Sequence, residues 1–211
     1  MQGRMLVVAA MWCGCLAAAQ AATVAVDPAV SDDARYAAAW VLDHADHQGR
    51  PFAIVDKKSA RIHVFDGDGR LIGASAVLLG STPGDAAVPD IARRPPSSLG
   101  VDERTTPAGR FDSEPGRNDR GEAIVWVDYD AALAIHRLRP APPAQRRAQR
   151  LTSALASEHR ISLGCIVVPV AFYEEVVAPG LGRRRGVVYV LPETSPVNDM
   201  FSALRPDERT P

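Results

Sequence analysis

From Phe52 to Leu191 the apolar residues of this chain come in short runs broken by glycine, proline and aspartate, and no other feature constrains the fold as much. Phe52-Ala53-Ile54-Val55 and Arg61-Ile62-His63-Val64-Phe65 have the β-branched and aromatic content of strands. Asp66-Gly67-Asp68-Gly69 supplies the turn into a third run, Leu71 to Leu79, because glycine enters backbone conformations closed to other residues. These runs predict an antiparallel meander. Pro107-Ala108-Gly109-Arg110-Phe111, Ile124 to Val127, Leu133 to Ile135 and Gly186 to Leu191 extend the pattern, so the expected class is mostly β with short helices (α+β).

Helical patterns are few. Ser31 or Asp32 caps a segment with Tyr36, Ala37, Trp40 and Val41 on one face, stopped by Gly49 and Pro51. Pro140-Ala141-Pro142-Pro143 opens a basic helix over Ala144 to Leu151, whose arginines face solvent or a carboxylated substrate. Pro169 to Val177 forms a short amphipathic helix ended by Pro179-Gly180, and its start close after Cys165 predicts help from the helix dipole in ionising that thiol. Gly80 to Pro107 has little periodicity and is expected to be a lid or wall beside a site.

At 211 residues the chain can bury one domain plus short extensions. A formal net charge of −1 argues against a nucleic-acid partner gripped through its phosphates, and Arg183-Arg184-Arg185 is read as a solvated turn. His44 and His47 lack a carboxylate or cysteine partner, so they mark a solvated helix end, not a metal site. The Asp66 turn lacks the downstream glutamate of a calcium loop.

The N-terminus reads as a secretory signal: Arg4, then an apolar core from Met5 to Trp12, then the small residues Ala17 to Ala22. The expected division is a signal peptide over 1–21, an N-terminal extension with a helix over 22–50, a catalytic domain over 51–191 and a peripheral tail over 192–211. Cleavage removes Cys13 and Cys15, leaving Cys165 without a disulfide mate in an oxidising compartment. Such a thiol is either packed as a small hydrophobe or kept for reactivity. For the second role His136, at the end of the run Leu133-Ala134-Ile135, is the candidate base, and a strand would hold its ring firmly. Gly164 would let a carbonyl approach the backbone N–H groups of Gly164 and Cys165, where an oxyanion would form.

Ile54-Val55-Asp56-Lys57-Lys58, then Thr106-Pro107-Ala108-Gly109-Arg110-Phe111, then Ile135-His136 with Ser162-Leu163-Gly164-Cys165-Ile166, follow one another in an order that resembles the L,D-transpeptidase (YkuD-like) catalytic domain. The resemblance spans roughly residues 50–191 and implies a β-sandwich or barrel working in the bacterial cell envelope. It implies Cys165 as nucleophile on the third-residue carbonyl of a peptidoglycan stem peptide, His136 as base and release of the terminal D-alanine. It also implies backbone N–H groups near Gly164 as the oxyanion site, and Ser162 shaping the turn and orienting His136 through its carbonyl. The acceptor would be a second stem peptide, an envelope protein or water, and no metal or organic cofactor is implied. Arg137, Leu163 and Val167 depart from the family's usual residues; Val167 replaces a polar group two positions after the cysteine. That keeps two alternatives open, a hydrolytic L,D-carboxypeptidase or amidase and a catalytically silent peptidoglycan-binding domain.

Overall fold

A computed structural model describes residues 30–204; the expected signal segment, with Cys13 and Cys15, lies outside them. Ten strands carry the fold: β1 (Phe52–Asp56), β2 (Arg61–Phe65), β3 (Leu71–Ala76), β4 (Leu79–Gly80), β5 (Gly109–Arg117), β6 (Ala123–Asp128), β7 (Leu133–Arg137), β8 (Arg160–Ser162), β9 (Ile166–Val168) and β10 (Gly186–Val190). Eight of them form one sheet in the order β3-β2-β1-β10-β5-β6-β7-β9, and β4 pairs with β8 separately. The antiparallel meander β1-β2-β3 is present as expected. Asp66 secures its second turn by accepting the backbone N–H groups of Asp68 (3.1 Å) and Arg70 (2.9 Å).

Strand β5 joins the two halves of the sheet. Its first part pairs with β10, and Glu114 to Arg117 then pair with β6. Side chains alternate across each strand, which separates two cores. Ala53, Val55, Ile62, Val64, Val188 and Val190 from one end of the sheet share a cluster with Val125, Ile135, Ile166 and Val168 from the other, so the sheet curls around its own inner face. The alternate residues Phe52, Ile54, Val187 and Tyr189 face outward and are covered by Trp40, Val41 and Phe201. Each fully buried side chain of this size contributes about 1.5–3 kcal/mol.

Helix α1 (Asp32–Asp43) supplies half of that outer cover. Its N-cap is Ser31, whose hydroxyl accepts the Ala34 N–H (3.0 Å), while Asp32 and Asp33 complement the positive end of the dipole. The buried face is Ala34, Ala37, Trp40 and Val41; Tyr36 is 38% exposed and only edges the ring of Phe201. The helix stops at Asp43, ahead of Gly49. The helix end is solvated as expected at His44, which is exposed and stacks on Trp40, but His47 beyond it is buried with Nε2 3.2 Å from the Gly67 carbonyl. The stretch after Pro192, expected to be peripheral, forms a helix over Val197–Ala203 that buries Phe201 completely. Arg183, Arg184 and Arg185 form an exposed turn. Among the described residues no helix is long and apolar enough to cross a membrane.

Candidate functional site

His136 lies in β7 and Cys165 immediately precedes β9, strands that pair in parallel with Ile135 beside Ile166 and His136 beside Val167. Ile135, Ile166 and Val168 belong to the inner core, so alternation places His136 and Val167 on the opposite side. Cys165 precedes Ile166 by one step and falls on that same side, two residues from the partner of His136. The topology therefore brings the two sequence-selected groups to one sheet face.

The turn ahead of β9 is tightly specified. Gly164 has φ +137°, and a Cβ there would meet the Thr105 carbonyl oxygen at 2.8 Å, so only glycine fits without a shift. The Ser162 hydroxyl donates to the Cys165 carbonyl (2.7 Å) and accepts the Gly164 N–H (3.1 Å). Ser162 thus shapes the turn, but the Gly164 N–H expected at an oxyanion is spent inside it. Thr106, fully buried, donates its hydroxyl to the Gly164 carbonyl (2.7 Å) and accepts the Gly80 N–H (2.8 Å). The segment over 80–107 therefore forms a wall behind the turn, with 3-10 turns at Ile91–Arg93 and Pro96–Ser98.

Lys57 holds that wall. Its fully buried ammonium donates to the carbonyls of Gly84 (2.5 Å) and Thr106 (2.8 Å) and to Asp85 (2.7 Å). Burial lowers the Lys57 pKa, and the hydrogen bond to Asp85 opposes that shift. In the sequence Lys57 and Thr106 stand in separate blocks. Their spacing in sequence gives no sign that the two touch.

The imidazole is 8% exposed, and burial holds its pKa down to about 4, with the charges of Arg139 and Arg147 adding to the effect. Its Nδ1 lies 2.8 Å from the Arg137 carbonyl. A carbonyl oxygen only accepts, so Nδ1 carries the proton and Nε2 is left with the lone pair. The orienting carbonyl is thus that of Arg137 and not of Ser162, whose carbonyl accepts the Ser81 N–H (2.9 Å).

Cys165 is a free thiol, partly exposed as a residue. Burial raises its pKa, against a smaller lowering by the Ala134 backbone and Arg139. The thiol donates to the Ala132 carbonyl (3.4 Å). It makes no hydrogen bond to His136 among the described residues. Nor does Cys165 stand at a helix N-terminus, since β9 intervenes before the helical run that begins at Val170. The dipole argument for a thiolate fails for that reason, and the resting pair is a neutral thiol with a neutral imidazole.

The segment between base and thiol is also shorter in helix than expected. A 3-10 turn at Pro143–Gln145 is broken from helix α2 (Arg147–Leu151) by Arg146 in the left-handed region, φ 48°. Leu151 of α2 packs with Leu78 on the fully buried Val167, so the valine fills an apolar cluster that a polar side chain would disrupt. Leu163, 41% exposed, stands at the tip of the turn.

The fold and site define a mostly β protein with an unpaired thiol and a neutral, tautomerically fixed imidazole on one face of a parallel strand pair. No family model matches the chain, and no curated protein matches it in sequence. Solved structures similar to it include the catalytic domain of an L,D-transpeptidase from Enterococcus faecium, 17% identical over 68% of this chain and 98% of that one, TM-score 0.39. An L,D-transpeptidase from Mycobacterium smegmatis is 16% identical over 67% of this chain and 58% of its own, TM-score 0.38. The helical cell shape determining protein Pgp2 from Campylobacter jejuni is 13% identical over 70% and 49%, TM-score 0.45. The chain therefore spans 58% and 49% of the last two proteins, and the likeness is one of chain path.

Proposed function

We propose that this chain is an exported cysteine acyltransferase of the cell envelope, an L,D-transpeptidase acting on peptidoglycan stem peptides. The observation that carries the reading is the β7–β9 register, which sets Cys165 on the same sheet side as a histidine whose basic nitrogen is left unprotonated by the Arg137 carbonyl.

Because both groups rest neutral, the reaction begins with general-base catalysis and not with a standing thiolate. Rotation about Cβ–Sγ takes the thiol proton from the Ala132 carbonyl toward Nε2 of His136. Nε2 accepts that proton as Sγ attacks the carbonyl of the third stem residue. The resulting oxyanion is assigned to the Cys165 N–H, since the Gly164 N–H is engaged by Ser162. Collapse breaks the C–N bond, His136 returns the proton to the departing D-alanine amine, and a thioester on Cys165 remains. An amine of a second stem peptide or envelope protein then takes the acyl group, or water does in the hydrolytic alternative.

A silent peptidoglycan-binding domain is the second reading, favoured by the thiol's bond to Ala132 in place of His136. Incubation with a stem tetrapeptide, followed by mass spectrometry of released D-alanine, separates the two. The enzyme reading expects release by the parent protein and none by Cys165→Ala. Release by neither, from folded protein that binds the peptide, favours the silent domain.

A further inference from the structure

An open cavity of about 570 Å³ lies where the end of β7 meets α2 and the helical run from Val170; Leu138, Arg139, Pro142, Arg146, Arg147 and Val170 are among its lining residues. Three of these six side chains are guanidinium groups, and the acids around them do not balance the charge. Arg139 is paired with Glu122 (2.7 Å). Arg146 and Arg147 have no carboxylate partner among the described residues.

Arg147 is also built into place. It sits four residues before Leu151 in α2, so both share one helix face, the face that Leu151 packs on Val167. The Arg147 Nε donates to the Gln145 side chain (2.6 Å), which fixes the guanidinium along one edge. Its terminal nitrogens have no hydrogen-bond partner among the described residues. Burial and the neighbouring charge of Arg139 make the cation less comfortable than an ordinary arginine. Two neighbouring guanidiniums of which only Arg139 has a carboxylate partner are stabilised by an incoming anion, and their planar donors match a carboxylate. The cavity lies beside the β7–β9 pair that carries the site: Leu138 and Arg139 follow His136 out of β7, and the Leu138 N–H donates to the carbonyl of Val168 (2.7 Å), three residues after Cys165.

We propose that Arg139 and Arg147 form a carboxylate-recognition site for the peptide attacked by Cys165, an inference that rests on the acyl-transfer reading. The preferred substrate is therefore an acidic peptide and not its amidated form. The carboxylate comes either from the C-terminal D-alanine or from the side chain of the third residue.

The test is calorimetric titration of the full chain carrying Cys165→Ala, so that binding is read without turnover. Three stem tetrapeptides serve as probes: unmodified, amidated at the C-terminus, and amidated on the third-residue side chain. The unmodified peptide is expected to bind, and one of the amides to bind about tenfold more weakly, which identifies the source of the carboxylate. Adding Arg147→Gln is expected to weaken the unmodified peptide about tenfold and leave that amide unchanged, while Arg147→Lys recovers part of the loss and circular dichroism confirms the fold. Equal binding of all three peptides, unchanged binding by Arg147→Gln, or no binding at all would overturn the site. D-Alanine release is measured separately on the protein with Cys165 intact. Turnover without carboxylate discrimination sinks this site and leaves the acyl-transfer reading standing, whereas discrimination without turnover does the reverse.

Discussion

His136 combines two properties that titration can separate. Its pKa of about 4, set mainly by burial, means that the base is available down to acid pH. The acid limb of kcat/KM for D-alanine release is therefore expected near pH 4 and not near the ordinary histidine value of about 6.5. Replacing His136 by glutamine is expected to lower kcat about 10²–10⁴-fold, the usual worth of a positioned base. The same shift bears on stability. The unfolded chain binds the proton near pH 6.5 and the folded chain only near 4, so the contribution is complete above about 6.5 and is lost as pH falls toward 4. That loss amounts to about 3 kcal/mol, and denaturant titrations should show His136→Gln without it. Cys165 behaves in the opposite sense. Burial raises its thiol, so the alkylation rate of the free protein is expected to climb only above the ordinary thiol range. A rate that saturates near neutral pH would contradict the neutral resting pair.

At the scale of elements, the turn from Ser162 to Cys165 and the short helix α2 carry the site. Gly164→Ala forces a Cβ to within 2.8 Å of the Thr105 carbonyl at a positive φ, and a loss of about 1–3 kcal/mol is expected in urea unfolding together with lost activity. Thr106→Val removes the donor to the Gly164 carbonyl and orphans the Gly80 N–H, each buried, for an expected cost of about 1–3 kcal/mol. The strand elements were legible in sequence because β-branched runs and Asp-Gly turns report local geometry, as in β1, β2 and β10. The helix α2 was only half legible. Ala144 to Leu151 carries continuous helical composition, yet Arg146 adopts a left-handed conformation that ends one turn and begins another, and no local signal marks it. Val167 reads in sequence as a missing polar group. Only its contact with Leu151, sixteen residues earlier in the chain, shows that an apolar pocket takes the place of that group.

For the whole molecule, the sheet delivers groups distant in sequence to one side, and the wall over 80–107 is stapled to it by Lys57. Lys57→Met would leave the carbonyls of Gly84 and Thr106 without this donor and Asp85 held only by Glu193 and Thr194, and a loss of about 1–3 kcal/mol is expected from the unmade buried hydrogen bonds. The candidate pair Cys165 and His136 could be chosen from sequence because an unmated thiol and a strand-end histidine are chemically conspicuous. The protonation state could not, because it depends on burial and on which carbonyl meets Nδ1, and both follow from tertiary contacts. The helix after Cys165 was legible, whereas the strand β9 placed between them was not, and that element removes the dipole support expected for a thiolate while burial raises the thiol.

Acylation of Cys165 by a stem peptide is the step on which the proposed reaction turns. Intact-protein mass spectrometry after brief mixing with a stem tetrapeptide tests it most directly. The expected result is an adduct with the mass of the peptide less D-alanine, confined to Cys165 on proteolysis, absent from Cys165→Ala and much slower to form in His136→Gln. An unmodified protein that nonetheless releases D-alanine, or an adduct that persists in Cys165→Ala, would contradict it.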